Sequence, residues 1–315
     1  MLSADPGPAR PEEPLGYHQL HRLGRQGIGW SALALFVTVV VGYVAANVVV
    51  LAVAVVADLA GTTVETDPVT PAGLTALNLV WAVAIPVTWL ALFAGHGLRP
   101  GWLASVVGRV RWRWLVVCLG LSLVALVATI VVSMFFPQQP GAEVSGELND
   151  WSARTRDFVL VIVLLTPLQA AGEEFAFRGY LTQAFGGLVG GRLAAPVAVA
   201  VPALLFALAH GAQSAPVFVD RLAFGLVAGA LTILTGGLEA GIAMHVLNNW
   251  TAFGLALAFG DLDASLTPDG GTWWTLPGTL TQSFVFLGLV LWSARRRGVE
   301  TAWEGGVLEG PGSRR

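Results

Sequence analysis

Residues 157–180 read DFVLVIVLLTPLQAAGEEFAFRGY, an apolar run of membrane-crossing length that carries charge at Glu173, Glu174 and Arg178. A hydrocarbon core of ~30 Å needs about 20 apolar residues of helix. Ionised groups at that depth cost roughly 2.5–3.5 kcal/mol each on insertion scales, so they persist where they have partners or a function. Glu174 and Arg178 are four residues apart, lie one above the other on a helix and can neutralise each other. Glu173 points about 100° away, and that pair leaves it free. One carboxylate reads as structural and the other as available for chemistry.

The rest of the chain is of the same kind. Its 315 residues are 55% hydrophobic and 12% charged, with a mean hydropathy of +0.70. A soluble domain carries about 25% charge. The sequence predicts an all-α, polytopic transmembrane bundle of about eight spans, near 29–57, 74–95, 114–136, 157–180, 193–211, 217–235, 239–258 and 275–294. The net charge of −3 gives no reason to expect a nucleic-acid partner. Cys118 is the single cysteine, so no intrachain disulfide forms. All 17 basic residues are Arg, which with the Ala, Gly and Val content hints at a GC-rich bacterial genome. The first 27 residues are polar and contain Pro6, Pro8, Pro11 and Pro14. They are too long and too polar for a signal-peptide n-region, so the first span is expected to be retained.

Loop charge sets orientation, because Lys and Arg concentrate on the cytoplasmic side. Arg10, Arg22 and Arg25 precede the first span; Arg99, Arg109, Arg111 and Arg113 lie between the second and third. Arg192 follows the fourth, and Arg295, Arg296 and Arg297 follow the eighth. The intervening loops are acidic, as at Asp58, Glu65 and Asp67. This alternation predicts cytoplasmic termini, in a bacterial cytoplasmic membrane if the compositional hint holds. The expected organisation is a polar tail (1–27), the bundle (28–297) and a Gly-rich disordered tail (298–315). Trp30, Trp114, Trp274 and Trp292 are expected at membrane interfaces. Pro86 should kink the second span.

Two further spans carry ionisable groups well inside their boundaries. Phe206 and His210 close the fifth, and His245, Asn248 and Asn249 lie in the seventh. Of five histidines, His18, His21 and His96 fall in tails or loops, and the other two are intramembrane. A desolvated carboxylate has raised proton affinity and suits a base towards water. Imidazoles can orient that water, bind a metal or donate to an oxyanion, and Asn249 is a neutral oxyanion donor. The same Glu and two His could instead hold a divalent metal such as zinc, with a position open for water. No His-Glu-x-x-His occurs, which excludes a thermolysin-like zinc helix.

Glu-Glu-x-x-x-Arg at 173–178, Phe-x-x-x-His at 206–210 and His-x-x-x-Asn at 245–249, in that order, resemble the three motifs of the CPBP intramembrane proteases. That family, also called the Abi or CAAX-protease family, includes CAAX prenyl endopeptidases and lysostaphin-resistance-like proteins. The resemblance covers about residues 157–258. It implies that Glu173 activates water, Glu174 pairs with Arg178, and His210 and His245 orient the water or a metal. Asn249 would stabilise the oxyanion, with Phe206 packing beside His210. Whether Glu173, His210 and His245 hold a metal is not decided by the motifs, and metal-independent chemistry is slightly favoured. The implied substrate is a membrane-associated or lipidated peptide that reaches a conical, water-filled cavity between spans four and seven through the lipid bilayer.

Plainer roles stand beside these. Glu173 could be a protonated carboxyl joining helices, His210 an interfacial histidine, and His245 with Asn249 an interhelical hydrogen-bonding pair. Asn248 reads as packing, and Gly225 with Gly229 as a close helix approach. A non-proteolytic immunity or scaffold protein, or a proton-coupled transporter, is the alternative function; no repeated halves of the transporter kind are visible. One geometric tension follows from orientation. Arg178 ends its span on the cytoplasmic side and His210 ends the next on the outer side, ~20 Å apart if drawn as ideal helices. A shared site therefore requires the fourth helix to continue past Arg178 towards Phe185.

Overall fold

The computed structural model describes residues 14–25, 27–137, 147–211, 213–266 and 271–305. Eight of its helices are long and apolar enough to cross a membrane. They are α1 (Ile28–Leu59), α2 (Pro71–His96), α3 (Trp112–Ser133), α4 (Ala153–Leu188), α5 (Gly191–Leu208), α6 (Ala215–Thr235), α7 (Glu239–Phe259) and α8 (Thr275–Arg297). The chain is an all-α, multi-pass integral membrane protein, as its composition predicts.

Local sequence explains where the helices bend. Ser152 caps α4: its hydroxyl accepts from the Thr155 amide at 3.1 Å. Pro167, which has no amide proton to donate, follows a break at Leu165. Likewise α2 is interrupted at Val83, just ahead of Pro86, because a proline ring clashes with the preceding helical turn. Between Glu174 and Leu181 the α4 backbone widens into a π-helical turn. Such turns occur mostly as single insertions, often at functional sites.

The helix then continues to Leu188, as a shared site requires. Helix α7 packs against α3 and α4, α5 against α6, and α8 against α3 and α6. Phe177, Phe206, Phe224, Met244 and Phe286 form the apolar centre where these helices meet.

The termini differ from expectation. Within the N-terminal segment, Tyr17–Leu23 forms a 3-10 turn that buries Tyr17, Leu20, His21 and Leu23. Within the C-terminal segment expected to be disordered, Ala302–Trp303 (β2) pairs antiparallel with Leu15–Gly16 (β1). Trp303 also meets Trp102 edge to face, with ring centroids 4.9 Å apart. An apolar Trp and a pairing strand outweigh the surrounding glycines. Residues 306–315 lie outside the described residues. The pairing places both ends of the described chain at one end of the bundle.

Arg111 fastens this end. Its guanidinium forks onto both Glu239 oxygens, at 3.0 and 2.7 Å, and also donates to the carbonyls of Thr235 and Glu300. The start of α7, which carries His245, is thus tied to α3 and to the C-terminal segment. Trp114 is a second correction: it is buried at 5% exposure in the core, while Trp30, Trp274 and Trp292 are exposed.

Candidate active site

Glu173, Glu174 and Arg178 sit where α4 passes from α-helical to π-helical geometry, and all are buried. Arg178 Nη1 lies 3.2 Å from Glu174 Oε1, so the i, i+4 ion pair forms. The guanidinium also stacks 4.1 Å from the Phe206 ring centroid. A desolvated cation–π contact of this kind is worth about 2 kcal/mol. Phe206 therefore does more than pack beside His210, because it covers the one cation of the acidic motif.

Glu174 has a second partner that helix geometry did not reveal. His245 Nδ1 is 2.9 Å from Glu174 Oε1, which makes Glu174 the group that fixes the imidazole's tautomer and orientation. The ring's other nitrogen, Nε2, then faces Glu173 Oε2 at 3.7 Å. Gly241, one turn before His245, makes this possible. A Cβ there would stand 2.7 Å from Glu174 Oε2. Gly172 plays a similar part on the other side of α4, where a Cβ would come within 2.0 Å of the Trp81 carbonyl oxygen. Glycine lets α2 and α4 touch backbone to backbone beside Glu173.

Gln169 joins the remaining members. It lies one turn before Glu173; its amide nitrogen donates to Glu173 Oε1, and its carbonyl oxygen accepts from Asn249 Nδ2 at 2.9 Å. The chain Asn249–Gln169–Glu173 thus links α7 to α4. Glu173 Oε2 has no hydrogen-bond partner among the described residues. His210 Nδ1 faces the Phe206 carbonyl at 2.8 Å and so must donate, which leaves Nε2 as an acceptor in the neutral ring.

Glu173, His210, His245, Asn248 and Asn249 line one cavity of about 400 Å³. The cavity also takes Asn78 and Trp81 from α2 and Thr279 from α8, so its walls extend beyond spans four to seven. Asp220 and Arg221 of α6 line it too. The sequence reading missed them because they fall near the start of a span and resemble boundary charges. Arg221 donates to the Gln213 side chain at 2.6 Å. Gln169 was missed for a different reason: a neutral amide carries no insertion cost large enough to stand out. Its spacing of four before Glu173 was the available signal.

The expected metal ligands do not gather as a ligand set. Among the described residues, no three His, Cys, Asp or Glu side chains converge as metal ligands. His245 gives Nδ1 to Glu174, at 2.9 Å, and leaves Nε2 towards Glu173 Oε2, at 3.7 Å. Glu173, His210 and His245 line one cavity without converging as a three-ligand set among the described residues.

Eight apolar helices enclosing carboxylates, imidazoles and amides define a membrane-embedded protein with a polar cavity. Residues 155–251, which contain all three motifs, match the family model described as type II CAAX prenyl endopeptidase Rce1-like. The resemblance carried by the motifs is thereby borne out, and supports a CAAX-type intramembrane protease role in general. The chain is also 26% identical over 226 residues to the uncharacterised protein YyaK of Bacillus subtilis (strain 168). That similarity covers 68% of this chain and 73% of the relative. No solved structure matches the chain.

Proposed function

We propose that the chain is an intramembrane endopeptidase that hydrolyses a peptide bond in a membrane-associated or lipidated peptide. The observation that carries this reading is the Glu173 carboxyl group, which lines a cavity with His210, His245 and Asn249 and whose Oε2 has no hydrogen-bond partner among the described residues. Glu173 takes a proton from water, and the hydroxyl oxygen bonds to the scissile carbonyl carbon. His210 Nε2 orients that water by accepting its other hydrogen. Asn249 has a second amide N–H beyond the one given to Gln169, and that N–H stabilises the oxyanion. The C–N bond then breaks, and Glu173 passes its proton to the leaving nitrogen. Acid and amine products result, with no change of oxidation state. General acid–base catalysis of this kind contributes about 10²–10⁴-fold.

No metal enters this scheme. The arginine-rich loops and the Bacillus relative favour a bacterial cytoplasmic membrane with cytoplasmic termini. The reading is tested by comparing membrane peptides from cells that lack the chain with those from cells given back the wild-type or His245→Ala protein. A set of intact peptides should accumulate without the chain, disappear with the wild type and persist with the variant. Peptide profiles that do not respond to the chain would remove the protease reading.

A further inference from the structure

A second polar cleft lies away from the cavity, beside the last turns of α4. It measures about 190 Å³ and is lined in part by His21, Arg22, Arg25, Ser31, His96 and Gly187. No carboxylate is among its described lining residues. We propose that it binds the phosphodiester of an anionic membrane lipid.

Four observations converge there. Helix α1 opens at Gly27 with no side-chain cap among the described residues. The amide of Ser31 is bonded back to the Gly27 carbonyl at 3.2 Å, so the amides of Ile28, Gly29 and Trp30 precede the first intrahelical bond. Such amides and the positive end of the helix dipole suit a phosphate. His21 is 4% exposed, lines the cleft, and its Nε2 has no hydrogen-bond partner among the described residues. An orphaned buried imidazole nitrogen is costly unless a ligand completes it.

Arg25 is exposed, donates to the Ala94 carbonyl at 3.3 Å, and stacks 4.7 Å over Trp30. A guanidinium has five donor hydrogens, so most of its capacity remains. Arg22 adds a second positive charge. The site also stands where a lipid headgroup would be. Ile28 is 84% exposed and Trp30 41%, at the first turn of a 32-residue apolar helix. An acyl-bearing phosphodiester can lie along that helix with its phosphate in the cleft, whereas free inorganic phosphate has the same head and no tail.

Native mass spectrometry of the full chain in detergent separates these sources, using phosphatidylglycerol, phosphatidylcholine and inorganic phosphate as probes. Phosphatidylglycerol should be retained at least about tenfold more tightly than phosphatidylcholine. Arg25→Glu, at an exposed position, should abolish that preference, and His21→Phe should weaken it. Equal retention of the two lipids, or a preference untouched by Arg25→Glu, would overturn the proposal. So would inorganic phosphate binding in the cleft without any phosphatidylglycerol preference.

Discussion

His245 Nδ1 lies 2.9 Å from Glu174 Oε1, which makes the paired carboxylate of the acidic motif the anchor of the seventh helix's imidazole as well as of Arg178. Breaking a buried ion pair from one side costs about 3–5 kcal/mol, because a charge is left behind. Glu174→Leu should therefore destabilise the protein by about that amount in detergent unfolding. Adding Arg178→Met should recover most of the loss, since a buried pair replaced by apolar groups is often neutral. Peptide cleavage should stay low in the double variant, because His245 still lacks its acceptor. Recovered activity would show that Glu174 serves the pair alone.

Gln169 gives a second prediction. It holds Glu173 and Asn249 in one hydrogen-bonded chain, and small misplacements of catalytic groups cost about 100-fold. Gln169→Ala should lower kcat by about that factor with little change in KM and little change in unfolding. An unchanged kcat would separate Gln169 from the chemistry.

These two residues show how much of the site was legible. Glu173, Glu174, Arg178, His210 and His245 were visible because charge and imidazole are scarce in apolar spans, and Asn249 because it stands four residues after His245. Glu174–Arg178 could be read from a spacing of four. The Glu174–His245 bond could not, because it joins residues 71 positions apart across two helices. Nor could the role of Gly241, which depends on the Glu174 carboxylate that comes within 3 Å of its Cβ position. The eight spans were legible from hydropathy. The paired terminal strands were not, since two residues of β structure leave no periodic pattern.

Metal dependence has a direct check. The proposed glutamate-and-water scheme predicts cleavage that survives 1,10-phenanthroline and EDTA at concentrations that strip zinc from proteins. Loss of activity that returns on adding zinc would contradict the glutamate-and-water scheme while leaving the protease reading intact.

The N-terminal turn predicts a pH effect on stability. Burial, and next the neighbouring His96, hold the His21 imidazole well below its ordinary value of 6.5. The unfolded chain takes up a proton near that value which the folded chain refuses. Stability should therefore fall as pH drops below about 6.5. His21→Phe keeps an aromatic ring against His96 and Tyr180 and should flatten this acid-side decline between pH 7.5 and 5.5. Parallel melting curves for wild type and variant would contradict it.

The role of Glu173 is tested most directly by the fate of water oxygen. Wild-type and Glu173→Gln proteins, reconstituted in vesicles with membrane peptides in ¹⁸O-labelled water, would be followed by mass spectrometry of new peptide C-termini. The account predicts new C-termini carrying ¹⁸O with the wild type, and their loss with a Glu173→Gln protein that unfolds like the wild type. Equal cleavage by both proteins would contradict it.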